Sequence, residues 1–174
     1  MPLSINTTGG TALGGFSITT DFSQIRRNVG RLRKELRDRT EPLTTISRDY
    51  MAKKVIKSRF DKEGVPRWKK LAPKTIKFRK YKNRKILQQT GSLKSSATGG
   101  VAWQMNLVPS SNPKDVTFGS SLDYAFIHDQ PRGTMSANNI PGRPWSQVTQ
   151  TNIDESARIL MKWVEKKIKL VGAT

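Results

Sequence analysis

Nineteen consecutive residues, Arg67 to Lys85 (RWKKLAPKTIKFRKYKNRK), hold ten Lys and Arg side chains and no Asp or Glu. Charge at that density resists burial, so a core has to be built by the sequence on either side of it. Trp68, Leu71, Ile76, Phe78 and Tyr81 are threaded through the run, with Phe60 and Gly64 ahead of it and Ile86 to Leu93 (ILQQTGSL) behind. Two readings follow. Interleaved aromatics and cations can bind single-stranded nucleic acid by stacking and phosphate contact. Alternatively, Trp68, Leu71, Ile76 and Phe78 fold onto the domain and leave only the cations outside, as a surface that attracts DNA without reading its sequence. The folded version is the expectation.

The formal net charge of +19 over 174 residues and a pI near 10.7 point to polyanionic partners: nucleic acid, an acidic protein surface or anionic lipid. Length suits one domain with a core of ordinary size. Apolar residues make up 34% and mean hydropathy is -0.60, yet the apolar positions are periodic, as in a folded chain. No apolar run approaches the roughly 20 residues of a membrane span. The opening MPLSINTTGGTALGG lacks the basic and apolar regions of a signal peptide.

Catalytic equipment is sparse. Cysteine is absent and His128 is the only histidine, which argues against thiolate chemistry, a multi-imidazole zinc site and a Ser-His-Asp arrangement. His128 beside Asp129 has no candidate nucleophile, and Asp61, Glu63, Asp123 and Asp129 share no metal-binding spacing. Gly9-Gly10 and Gly14-Gly15 precede no Gly-Lys-Ser/Thr, so they make no phosphate loop. No catalytic residue, metal or cofactor is expected.

In chain order, residues 1–15 are Gly-, Thr- and Ser-rich and suggest a flexible or extended arm, with the domain proper at 16–174. Phe16 to Thr19 alternates as a short strand. After a cap at Thr20 or Asp21, Phe22, Ile25, Val29, Leu32 and Leu36 form one face of a helix; Arg26, Arg27, Arg31, Arg33, Lys34 and Arg37 form the other. Thr40 can cap a second helix over about Leu43 to Phe60, buried through Leu43, Ile46, Tyr50, Val55, Ile56 and Phe60 and ended by Gly64 and Pro66. Pro73 opens a short turn of helix, and Gln88 to Lys94 a helical or turn segment.

Val101, Trp103, Met105 and Leu107 alternate as a half-buried strand, with Val116 to Ser120 as antiparallel partner after the turn at 109–113. Pro131 to Pro144 is a long loop. A last helix begins near Thr151 or Asn152, with Asp154 and Glu155 in its first turn, Ile153, Ala157, Leu160, Val164 and Ile168 as inner stripe, and Ile159 and Trp163 extending it. The fold class is α+β: N-terminal helices, a small antiparallel sheet and a C-terminal helix in a single domain.

Four segments in fixed order carry a resemblance. Phe60 to Leu71 (FDKEGVPRWKKL), with Thr75 following, is similar to an "F…G…W.pL…T" signature; Ile86 to Leu93 resembles "iL..tG.L"; Tyr124 to Gln130 (YAFIHDQ), with Gly133, resembles "YA.iHq.G"; and Ile140 to Trp145 (IPGRPW) resembles "ipaRpf". Together they resemble the phage virion morphogenesis proteins, the tail completion proteins of Mu-like and P2-like phages, over about Leu32 to Val164. Here Asp129-Gln130-Pro131-Arg132 adds residues before Gly133, and Trp145 stands where Phe is usual. The basic insert and the Gly/Thr-rich leader are this chain's own.

The resemblance implies a structural virion protein, assembled in the host cytoplasm: a homo-oligomeric ring, often hexameric, in the neck at the head-proximal end of the tail. There it would terminate the tail tube and join the tail to the head-tail connector. A closed ring needs two different patches per subunit. Arg143, Trp145, His128 and Trp68 are the candidates for one, and the arm for the other. Lys74, Lys77, Arg79, Lys80, Lys82, Arg84 and Lys85 are the candidates for facing packaged DNA, held without sequence preference, or an acidic neighbour. The alternative is a basic nucleic-acid-binding module of ribosomal or nucleoid type.

Overall fold

Helix α1 (Ser23–Glu35) carries the expected apolar stripe, but Phe22 occupies its N-cap position with no side-chain cap. Asp21 and Thr20 fall outside the described residues; the computed structural model describes residues 5–6, 17–18, 22–80, 85–131 and 140–172. Two-residue strands β1 (Ile5–Asn6) and β2 (Ser17–Ile18) pair antiparallel, which joins part of the expected arm to the expected first strand. The rest of the arm lies outside the described residues, as do Tyr81 to Arg84 and 132–139.

The second helix begins earlier than its spacing predicts and, while Ile56 and Phe60 are buried as expected, the rest of its inner face is shifted. Helix α2 (Thr40–Thr44) runs into a π-helical segment (Thr45–Ile56) and then α3 (Lys57–Lys62). Thr40 is not the cap; its backbone N–H donates to Asp38 Oδ1 at 2.9 Å. In the π segment hydrogen bonds close on the fifth residue rather than the fourth, so each turn is wider. The buried side shifts to Ser47, Met51, Ala52 and Ile56, and then to Arg59 and Phe60 in α3. Leu43, Ile46, Tyr50 and Val55 are left half-buried.

Glu63 ends α3 in the left-handed region (φ 55°), and Gly64 follows at φ 97°. The Gly64 N–H donates to the Arg59 carbonyl at 2.7 Å, a helix stop that uses glycine's backbone freedom. Helix α4 (Pro73–Lys77) starts on its proline, and α5 (Ser92–Ala97) follows Gly91 at φ 80°. Strands β3 (Trp103–Val108) and β4 (Asp115–Ser120) form an antiparallel hairpin in register Trp103↔Ser120, Met105↔Phe118 and Leu107↔Val116. Trp103, Met105 and Leu107 are half-buried as their alternation predicts, whereas Val101 lies before the strand and is exposed. Ser47 Oγ contacts Met105 Sδ at 3.1 Å and the Ser96 and Ser120 hydroxyls meet at 2.7 Å, tying the sheet to the helices behind it.

Helix α6 (Ala125–His128) is a single turn; α7 (Gln150–Gly172) closes the fold. The side α7 buries is one residue out of phase with the expected stripe. Asn152, Trp163 and Val171 are buried and Ser156 and Ile159 half-buried, while Ile153, Ala157, Leu160 and Ile168 face outward. The reason is polar. Asn152 Nδ2 donates to the Tyr50 hydroxyl at 3.1 Å, Arg59 Nη2 donates to Asn152 Oδ1 at 3.4 Å, and Trp163 Nε1 reaches Glu41 Oε2 at 3.2 Å. Those bonds hold the helix in a rotation that apolar periodicity alone does not predict. Asp154 and Glu155 fall after the first turn, because the helix starts at Gln150.

Candidate interaction surfaces

The four motifs meet in one place, and that place is the core. Phe60, Trp68, Ile86, Leu93, Ala125 and Trp145 belong to one buried cluster with Ile56 and Ala97. The Phe60 and Trp68 rings stand edge-to-face at 5.6 Å between centroids, and Phe60 lies 6.3 Å from the Trp145 ring. Both indoles donate to backbone, Trp68 Nε1 to the Pro144 carbonyl at 3.3 Å and Trp145 Nε1 to the Ala125 carbonyl at 3.3 Å. Each satisfies its polar edge while burying its apolar body. Gln88 Nε2 donates to the Phe60 carbonyl at 2.7 Å, and the Ile86 N–H donates to Glu63 Oε1 at 2.8 Å.

Two polar groups anchor the Pro-rich loop: Asp129, weighed from the sequence only as a partner of His128 or a metal ligand, and Arg59, which the sequence did not single out. Asp129 Oδ1 accepts the Trp145 N–H at 2.9 Å and the Ser146 N–H at 3.0 Å. Arg59, only 7% exposed, donates to the Trp145 carbonyl at 3.1 Å. Burial pulls its guanidinium below its ordinary value, opposed by the charge on Asp129. The residue pattern carries no signal for Arg59, since an arginine amid Lys57 to Lys62 reads as solvated.

Of the candidate interface residues, Trp68, Trp145 and Arg143 are each 5% exposed, so any part they take in an interface passes through the loop they hold. Arg143 and His128 line a cavity of about 830 Å³ with Lys69, Lys70 and Arg79. Arg143 donates its N–H to the His128 carbonyl at 2.8 Å and Nη2 to the Lys69 carbonyl at 3.4 Å. Its guanidinium is pulled below the ordinary value by burial and then by the charge on Arg79. Burial, and then Arg143, likewise push the His128 imidazole down.

Of the basic run, Lys74, Lys77, Lys80 and Lys85 are exposed, Arg79 is half-buried, and Lys82 and Arg84 lie outside the described residues. Arg79 Nη1 donates to the Lys85 carbonyl at 3.0 Å, closing the stretch into a loop. Trp68 is buried and Leu71 half-buried, as the folded reading expects. Ile76 at 38% and Phe78 at 72% exposure are not folded in. Phe78 is the residue that follows α4, and side chains two positions apart on a helical turn do not share a face.

A second exposed surface is apolar. None of α1 is buried; Phe22 (54%), Ile25 (39%) and Val29 (59%) lie open, as do Ile153 (52%), Leu160 (36%) and Ile168 (50%) on α7. The two helices pack together, with Lys167 Nζ on Glu35 Oε2 at 3.0 Å. A cleft of about 410 Å³ lies between α1 and Asn112 and Lys114 of the hairpin turn.

No helix among the described residues is long and apolar enough to cross a membrane, and among them no three acidic or histidine side chains gather as metal ligands. What the fold presents is a packed core beside a basic stretch, a cationic cavity and exposed apolar side chains on α1 and α7. The model of the phage virion morphogenesis family matches residues 20–165, and the chain belongs to that family. Its role is thus structural, in building a bacteriophage virion. Comparison with curated proteins gives no match, and neither does comparison with solved structures.

Proposed function

We propose that the chain is a tail completion subunit: it closes into a homo-oligomeric ring, hexameric in the simplest form, in the neck of the virion. There it caps the head-proximal end of the tail tube and carries the joint to the head-tail connector. The observation that carries this reading is the open apolar stripe on α1 and α7 in a chain of net charge +19. A strongly basic protein gains nothing in solution from six large apolar side chains outside, but a subunit with a neighbour does. A ring closes through two unlike patches. The exposed apolar side chains of α1 and α7 suit one, and the Pro-rich loop suits the other.

The exposed lysines at 74, 77 and 80 would face packaged DNA or an acidic neighbour in the neck, neutralising phosphate without choosing a sequence. The test is electron microscopy of lysates from a phage that lacks the protein. Filled heads and separate tails, unjoined or of irregular length, are expected. Normal, infectious particles would contradict the proposal.

A further inference from the structure

We infer that the cavity between the Lys69–Arg79 segment, the α6 turn and the Pro-rich loop receives an acidic side chain next to an apolar one, presented by an extended segment of a partner protein. Lys69, Lys70, Arg79, His128 and Arg143 line it, and no Asp or Glu does.

Arg143 is the least satisfied of the group. It is 5% exposed, its one described side-chain bond is to a neutral carbonyl at 3.4 Å, and its Nε finds no acceptor among the described residues. His128 Nδ1 is buried without one as well. A buried guanidinium held beside a second guanidinium is stabilised when an anion enters, and a carboxylate matches its planar donors best.

Leu71, Leu87, Leu93, Ile140 and Pro141 give the cavity an apolar stretch of wall beside Thr75, Gln89 and Thr90, which suits an apolar neighbour to the carboxylate. The volume, about 830 Å³, suits a few side chains. A DNA duplex carries its phosphates on a broad convex rail and would meet the exposed lysines outside rather than the cavity floor.

The test uses the full chain titrated with acetyl-Phe-Glu-Leu-amide and with the Gln counterpart, followed by NMR chemical-shift changes. The Glu peptide should bind about tenfold more tightly. Arg143→Ala removes a buried residue and risks the fold. Thr75→Trp instead starts from an exposed position on the cavity rim; it should block the peptide while leaving the circular dichroism spectrum unchanged. Equal affinity for the two peptides, or binding that survives Thr75→Trp, would overturn the inference. So would a short DNA duplex that displaces the peptide and itself loses affinity in Thr75→Trp. The inference stands apart from ring closure: a protein that assembles but ignores both peptides loses only this site.

Discussion

A methyl group at Gly64 would sit 2.7 Å from Trp68 Cδ1 and 2.8 Å from the Pro66 carbonyl oxygen, at a φ of +97°. The spacing of glycine and tryptophan in the first motif is thereby explained: the indole packs where a Cβ would be. Gly64→Ala should cost about 2 kcal/mol or more, since strain and clash act together, and denaturant unfolding measures it. His128 offers a second residue-scale handle. Its folded value lies below the ordinary 6.5, burial being the larger cause. The unfolded chain therefore binds the proton first as pH falls, and the folded state resists it. Stability from this group is complete above about pH 6.5 and is lost as pH drops through the folded value. Asp38, Glu41, Asp61 and Glu155 also lose stabilisation in acid, but their values are lowered from 3.8 or 4.5, so they act below this window. The stability of the wild type should fall as pH drops below 6.5, and His128→Gln should flatten that slope; parallel slopes in the two proteins would refute the assignment.

At the scale of elements, apolar spacing located α1, the β3–β4 hairpin and α7, because each has a strong local period, and Pro73 located α4. It misplaced the inner faces of the second helix and of α7. In the first case the π segment changes the period itself; in the second, Asn152 and Arg59 choose the rotation, and a buried polar pair leaves no trace in apolar periodicity. Of the stripe read as core, Ile153, Ala157, Leu160 and Ile168 are left open and Val164 is half-buried, while the burial falls on Ile159 and Trp163 beside it. That gives a pair of opposed expectations. Trp163→Ala, at a buried position, should destabilise the protomer by about 3 kcal/mol or more. Leu160→Glu with Ile168→Glu should leave the protomer within about 0.5 kcal/mol of wild type and abolish self-association. Calorimetry and sedimentation velocity separate the two effects.

Across the whole molecule, the motifs proved readable because they are the core. Phe60, Trp68, Ile86, Leu93, Ala125 and Trp145 come from four separate stretches and share one cluster. Their order in the sequence was enough to point to the family, and their packing explains why their chemistry is aromatic and aliphatic rather than catalytic. The interaction surfaces were less readable. A cavity assembled from residues as distant as Lys69 and Arg143 has no local signature, and exposure of an apolar stripe depends on which neighbour fails to cover it. The basic stretch is now divided: Trp68 and Leu71 serve the core, Arg79 and Lys69 line the cavity, and Lys74, Lys77 and Lys80 remain outside.

The central claim is ring closure through the α1–α7 face and the Pro-rich loop. Its most direct test is the mass of the particle by multi-angle light scattering, for the chain alone and mixed with the tail-tube and connector proteins of its phage. The account predicts a discrete species at a small whole-number multiple of the 19.6 kDa chain, lost in the Leu160→Glu, Ile168→Glu double variant. A chain that stays at the monomer mass with every neck and tail component would contradict it.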